Sequence, residues 1–202
     1  MERPTAVLLD LDGTLIDSGD YWYAVVCDAS VAFGGRPVER AAFDASFGQS
    51  STADVAEFFP TARVADVDAF YNAALARHAH HIRPVEGARA LLETLRRHEV
   101  PLACVTNSPT AWATAVLRTA ALFPFFNALA CADEVTAPKP AADLVLLAAH
   151  KLGVAHTGCV MVGDSHFDMD AARAAGVRSV GLGVPGDTTV AALRDVAASL
   201  GF

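Results

Sequence analysis

Lysine is nearly absent from this 202-residue chain: Lys139 and Lys151 are the only two among its 15 lysines and arginines. With 23 acidic residues the formal charge is −8, and the pI is about 5.2. Nucleic acid and anionic membranes are bound by clustered cations, so neither is expected as a partner. Cysteine is also sparse. Cys27, Cys104, Cys131 and Cys159 lie far apart and form no CxxC pair, which argues against zinc and against a disulfide framework. Reduced thiols in a cytoplasmic protein are expected. No apolar run is long enough for a bilayer, since the longest, 120–132, is broken by Pro124 and Asn127. Met1-Glu2-Arg3-Pro4 leads into a strand-like run without a signal-peptide pattern. Disorder is excluded by 53% hydrophobic and 19% charged residues and a mean hydropathy of +0.33. The shortage of cations does not exclude a small anionic substrate, because a bound divalent cation inverts the sign of an acidic site.

The length fits one large domain or one domain with an elaboration. Short apolar runs at 5–9, 102–106, 128–131, 159–162 and 178–181 read as strands. Between them lie apolar stripes at helical spacing. Ala88, Leu91, Leu92 and Leu95 form one, ended by Arg96, Arg97 and His98; Leu144, Leu147, Ala148 and Lys151 form another, closed by Gly153. Alternation of this kind predicts an α/β fold, a Rossmann-like parallel sheet with helices on both faces. Ligands then collect at the carboxyl ends of the strands. The segment 17–83 breaks the rhythm. It offers helices at about 20–33, 39–47, 52–58 and 64–83, separated by Gly34-Gly35, Gly48 and Pro60, and reads as a small α-helical insertion. The expected division is a core of 1–16 and 84–202 with an inserted helical domain of 17–83.

The strand ends carry the chemistry. Asp10-Leu11-Asp12-Gly13-Thr14 follows the first strand, and residues i and i+2 of an extended chain point the same way. Two adjacent carboxylates call for a metal ion, or for one of them to keep a proton and act as an acid. Thr106-Asn107-Ser108 offers hydroxyls and an amide where a helix begins, a natural phosphate cradle. Lys139 stands between two prolines in a chain that otherwise prefers arginine, which suggests a need for a compact point charge. Asp164 and Asp168 lie at the start of another helix, where simple capping would also account for them.

These groups, in this order, resemble the motifs of the haloacid dehalogenase superfamily, in its phosphatase branch with phosphoglycolate phosphatase and β-phosphoglucomutase. Asp10-Leu11-Asp12-Gly13-Thr14-Leu15 matches the first motif, Thr106-Asn107 the second, Lys139 the third and 163–168 the fourth, and the helical insertion resembles the family's cap. The resemblance implies a phosphatase acting on a small phosphorylated metabolite, phosphoglycolate- or sugar-phosphate-like. Asp10 would be the nucleophile that forms an aspartyl-phosphate. Asp12 would be the acid and base. Thr106 and Lys139 would bind phosphoryl oxygens, with a further contact from Asn107. Mg²⁺ would be held by Asp10, the Asp12 main-chain carbonyl and Asp164, and Asp168 would orient Lys139 or a metal-bound water.

Departures from the family narrow this. Dehalogenases lack the second acid, Asp12. The phosphoglucomutase has a histidine where Trp22 stands and an arginine where Ser51 follows Gly48, and a cap without lysine disfavours Schiff-base phosphonate hydrolysis. A phosphomutase and a phosphoacceptor module without turnover are the alternative readings. Within the insertion, Gly48 and Gln49 are candidate substrate contacts and Trp22 and Tyr23 candidate pocket walls. The basic group Arg77, His78, His80, His81 and Arg83 reads as a solvated helix end, and His166 as an exposed loop residue.

Overall fold

The computed structural model describes residues 3–202. Strand β1 (Ala6–Leu9) opens the fold, followed by a short β2 (Ile16–Asp17). Four helices come next: α1 (Gly19–Ala32), α2 (Arg40–Ser46), α3 (Ser51–Phe58) and α4 (Val64–His78). After β3 (Arg83–Pro84) the chain alternates through α5 (Ala88–Arg97), β4 (Leu102–Thr106), α6 (Thr110–Thr119), β5 (Ala128–Cys131) and α7 (Asp143–Leu152). It ends with β6 (Cys159–Gly163), α8 (His166–Ala174), β7 (Arg178–Leu182), β8 (Thr188–Val190) and α9 (Val196–Ser199).

Six strands form one parallel sheet in the order β5-β4-β1-β6-β7-β8. Successive residues of β1 point to opposite faces. Val7 and Leu9 join a core with Leu92, Leu95, Trp112 and Val196, whereas Ala6 and Leu8 join a second core with Leu144, Ala148 and Met161. Both faces are therefore covered by helices, and every residue of β1 is buried. Placing β1 between β4 and β6 also brings three carboxyl ends side by side, with Asp10, Thr106 and Asp164 on neighbouring strand ends. This is where the strand order reverses and where open α/β sheets bind ligands.

The four helices leave and re-enter through a two-stranded antiparallel ladder, Ile16 opposite Pro84 and Asp17 opposite Arg83. They pack on the rest of the molecule through an aromatic cluster in which Trp22 lies 5.0 Å from Trp112 and 5.2 Å from Tyr71, ring centre to ring centre. Helix α4 is shorter than the 64–83 its spacing predicts. It stops at His78, a 3₁₀ turn covers Ala79–His81, and the chain is extended by Arg83. Pro84 disfavours helix at the preceding residue, and β3 must be extended to pair with β2. Strand β8 was not foreseen; its three residues, Thr-Thr-Val, carry too little apolar pattern. Among the described residues no helix is long and apolar enough to cross a membrane.

Candidate active site

The sheet brings Asp10, Asp12, Thr106, Asn107 and Lys139 to one pocket, and Asp164 and Asp168 stand beside it. The pocket is a concave site partly open to solvent, lined by residues of both the sheet ends and the inserted helices. Lys139, arriving from the β5–α7 connection, is buried with its ammonium 2.6 Å from Asp10 Oδ1, 2.6 Å from Asp168 Oδ1 and 3.1 Å from the Val105 carbonyl. Its three donors meet three acceptors. Burial opposes the charge, but the Asp10 and Asp168 carboxylates outweigh it and hold Lys139 protonated, above the ordinary lysine range.

Asn107 clasps the main chain of Lys139 from both sides. Its Oδ1 accepts from the Lys139 N–H and its Nδ2 donates to the Lys139 carbonyl, each at 2.9 Å. The same Nδ2 donates to the Gly48 carbonyl at 2.9 Å, which ties the loop between α2 and α3 to the end of β4. Gly48 has φ +93, a conformation L side chains rarely adopt. Thr106 Oγ1 accepts from the Ser108 N–H at 3.0 Å.

Asp12 has a different kind of surroundings, composed of neutral donors. Ser18 Oγ at 2.6 Å and Trp22 Nε1 at 2.9 Å donate to Oδ1, and Ser108 Oγ donates to Oδ2 at 2.8 Å. Burial raises its pKa, and the bonds from Ser18, Ser108 and Trp22 only moderate the rise. Burial, followed by the nearby Asp168, also pushes Asp10 well above the ordinary carboxylate range. Asp164 is pushed up to about 6, mainly by burial, with Thr14 opposing.

Residues that could hold a cation are at hand. Asp10, Asp164 and Asp168 each bring a carboxylate oxygen within 4.8 Å of the others. Asp168 is already engaged, since Lys139 takes Oδ1 and Ser165 donates from N and Oγ to Oδ2 at 3.1 and 2.6 Å, capping α8. Asp10 and Asp164 each keep an oxygen beyond their bonds to Lys139 and Thr14. The all-oxygen donor set suits a hard ion such as Mg²⁺, and a cation would relieve the repulsion among these carboxylates that adds to burial in raising Asp10 and Asp164. The residues fit the ion. Gly13 contributes by lacking a side chain: a Cβ there would lie 2.1 Å from Asp164 Oδ2, and its φ is +87.

Known proteins place the chain. A family model described as haloacid dehalogenase-like hydrolase matches residues 7–182. The chain belongs to this family. It is 35% identical over 182 residues to a plasmid-encoded phosphoglycolate phosphatase of Cupriavidus necator, covering 86% of this chain and 78% of that one. It is 31% identical to a fructose-1-phosphate phosphatase of Escherichia coli K12, over 89% of this chain and 96% of the relative. Among solved structures, a putative phosphoglycolate phosphatase from Lactobacillus plantarum superimposes with a TM-score of 0.87 at 22% identity, covering 98% of this chain and 99% of that one.

The inserted helices of this haloacid dehalogenase-like hydrolase supply the far wall of the pocket. Trp22, Gln49 and Ser51 line it, as do Asp54 and Tyr71, which sequence reasoning did not single out. Tyr23 does not reach the pocket; its hydroxyl donates to the Val38 carbonyl at 3.2 Å. Ser18 and Ser108 were also missed as partners of Asp12. Ser108 stands next to the Thr106-Asn107 motif, a usable signal, whereas nothing in the chain pattern marks Ser18. The basic group around 77–83 and His166 lie outside the pocket lining.

Proposed function

We propose that this hydrolase is a phosphatase for small phosphate monoesters, working through a phosphorylated Asp10 with Mg²⁺. One observation carries the reading: two buried carboxylates share a pocket but have opposite partners. Asp10 is held by an ammonium, whose charge opposes the rise that burial and Asp168 impose and so favours the ionised, nucleophilic form. Asp12 is held by three neutral donors in a buried setting, which favours a group able to carry a proton.

A carboxylate oxygen of Asp10 attacks phosphorus, the ester bond breaks, and the departing alkoxide takes a proton from Asp12. A water then gives its proton back to Asp12 and attacks the same phosphorus. The acyl-phosphate P–O bond breaks, freeing Asp10 and inorganic phosphate. Thr106 and Lys139 contact the phosphoryl oxygens, and Asn107 holds Lys139 in place. Asp168 fixes the ammonium from the other side. Asp10 and Asp164, with the Asp12 main-chain carbonyl, would hold Mg²⁺, which when bound would supply charge neutralisation for the phosphoryl group. Residues 17–83 act as a cap over a core of 1–16 and 84–202, excluding water from the reacting atoms.

A phosphoacceptor module needs no second acid, and Asp12 with its built surroundings is superfluous on that reading. A mutase has to grip a second phosphate, yet Lys139 is the only Lys, Arg or His among the lining residues. The test is hydrolysis of p-nitrophenyl phosphate with and without Mg²⁺. Turnover should require the ion and vanish in Asp10→Asn; normal turnover by that variant removes Asp10 as the nucleophile.

A further inference from the structure

The half of the pocket built by the inserted helices offers mostly hydrogen-bond acceptors, the Ser51 hydroxyl being the exception. Asp54, buried on α3, accepts from the Tyr71 hydroxyl at 2.8 Å and from Gln49 Nε2 at 2.9 Å. Gln49 Nε2 donates also to Glu57 at 3.0 Å, so both of its amide hydrogens are held by carboxylates and only its oxygen is left to offer. The Trp22 N–H is committed to Asp12, and the Ser46 hydroxyl donates to the Phe43 carbonyl at 3.1 Å. The one cation in the lining, Lys139, sits at the phosphoryl site beside Asp10 and Asp168, not in this half. The N-terminus of α3, a possible attraction for an anion, carries Asp54 in its own first turn.

A carboxylate on the substrate's alcohol half would lose its water here, face Asp54 and find no cation in compensation. Hydroxyl groups meet the opposite situation. They can donate to the remaining lone pairs of Asp54, to the Gln49 amide oxygen and to the Tyr71 oxygen. Trp22, Phe43 and Phe47 line the same half with aromatic surface suited to C–H faces.

We infer that the alcohol half of the substrate is an uncharged polyhydroxylated group, sugar- or polyol-like, read by Asp54, and that a carboxylate beside the ester is rejected. This rests on the phosphatase reading and chooses within it. Burial raises the Asp54 carboxyl to about 6, which leaves it ionised at neutral to mildly alkaline pH, where it repels an anion.

The experiment measures kcat/KM of the Mg²⁺-loaded protein for fructose 1-phosphate, 2-phosphoglycolate and p-nitrophenyl phosphate. The sugar ester should exceed phosphoglycolate by about tenfold or more, the equivalent of about 1.4 kcal/mol. Asp54→Asn removes the repelling charge and should lower that ratio by about tenfold, chiefly through KM. Tyr71→Phe, which frees the carboxylate from its anchor, should lower it in the same direction and decides the matter if Asp54→Asn does not fold. A wild type that hydrolyses p-nitrophenyl phosphate but favours phosphoglycolate overturns this specificity alone. Unchanged ratios in both variants overturn it as well. Failure to hydrolyse any of the three overturns the phosphatase reading itself.

Discussion

Trp22 of the first inserted helix donates its indole N–H to Asp12 Oδ1, 2.9 Å away at the carboxyl end of β1. An indole nitrogen donates and cannot accept, so this bond keeps Oδ1 an acceptor. The proton that Asp12 handles then belongs on Oδ2, whose partner Ser108 has a hydroxyl that can turn. The same bond joins the inserted helices to the reacting group, so the position of one bears on the protonation of the other.

Trp22→Phe keeps the aromatic packing and removes the donor. A hydrogen bond to a charged group contributes about 1.5–3 kcal/mol, so kcat/KM should fall by about 10- to 100-fold. The indole bond lowers the Asp12 pKa, and because Asp12 must be protonated to act as the acid, its loss should move the alkaline limb of the pH profile upward. A steady-state pH series checks both; an unshifted limb with full activity removes Trp22 from the account.

Lys139 joins Asp10 and Asp168 in a buried triad. Lys139→Met leaves two carboxylates facing each other without a cation. Breaking a buried pair from one side costs about 3–5 kcal/mol, so denaturant unfolding should show a loss of that order together with lost turnover. Lys139→Arg should not restore activity, because a planar fork cannot meet acceptors arranged around a point charge.

Gly13→Ala tests the seat of Asp164. The added methyl would lie 2.1 Å from Asp164 Oδ2 on a backbone at φ +87, so the carboxylate has to leave its present seat. The Mg²⁺ concentration for half-maximal activity should rise by about tenfold or more. Calorimetric titration of the ion checks the displacement independently of turnover, and unaltered Mg²⁺ binding contradicts it.

Asp54 should leave its mark on stability against pH. Burial raises its pKa from 3.8 to about 6, so the folded protein holds a proton there that the unfolded chain releases. Between those values the folded state binds more protons, and this contribution to stability declines as pH rises. The span corresponds to about 3 kcal/mol. Asp54→Asn lacks the group, so its stability relative to wild type should rise by about 2 kcal/mol, most of that span, from about pH 4 to about pH 7. Denaturant titrations at the two pH values measure it, and a constant difference would contradict the burial argument. A carboxyl kept where it is costly to ionise is expected of a residue retained for binding.

Much of the site was legible in the sequence because its parts sit at strand ends. A parallel strand buried on both faces reads as an apolar run, so the residue that ends the run is placed without knowledge of the fold. Asp10, Thr106 and Asp164 are of this type, and Lys139 stood out through the rarity of its kind. Contacts between separate helices left no such trace. Asp54 and Tyr71 meet across α3 and α4, 17 positions apart, and neither spacing nor composition shows which faces touch. The end of α4 was misread for a related reason. The run beyond His78 keeps helical composition, and it is the pairing of β3 with β2, a long-range contact, that draws it into extended chain.

The most direct test of the central claim is the fate of Asp10 during turnover. Protein quenched while hydrolysing a good ester with Mg²⁺ should carry one phosphoryl group, mapped by peptide mass spectrometry to Asp10, with alcohol released in a burst ahead of inorganic phosphate. A protein that turns over fully with Asp10 unmodified, and with alcohol and phosphate appearing together from the first turnover, would contradict it.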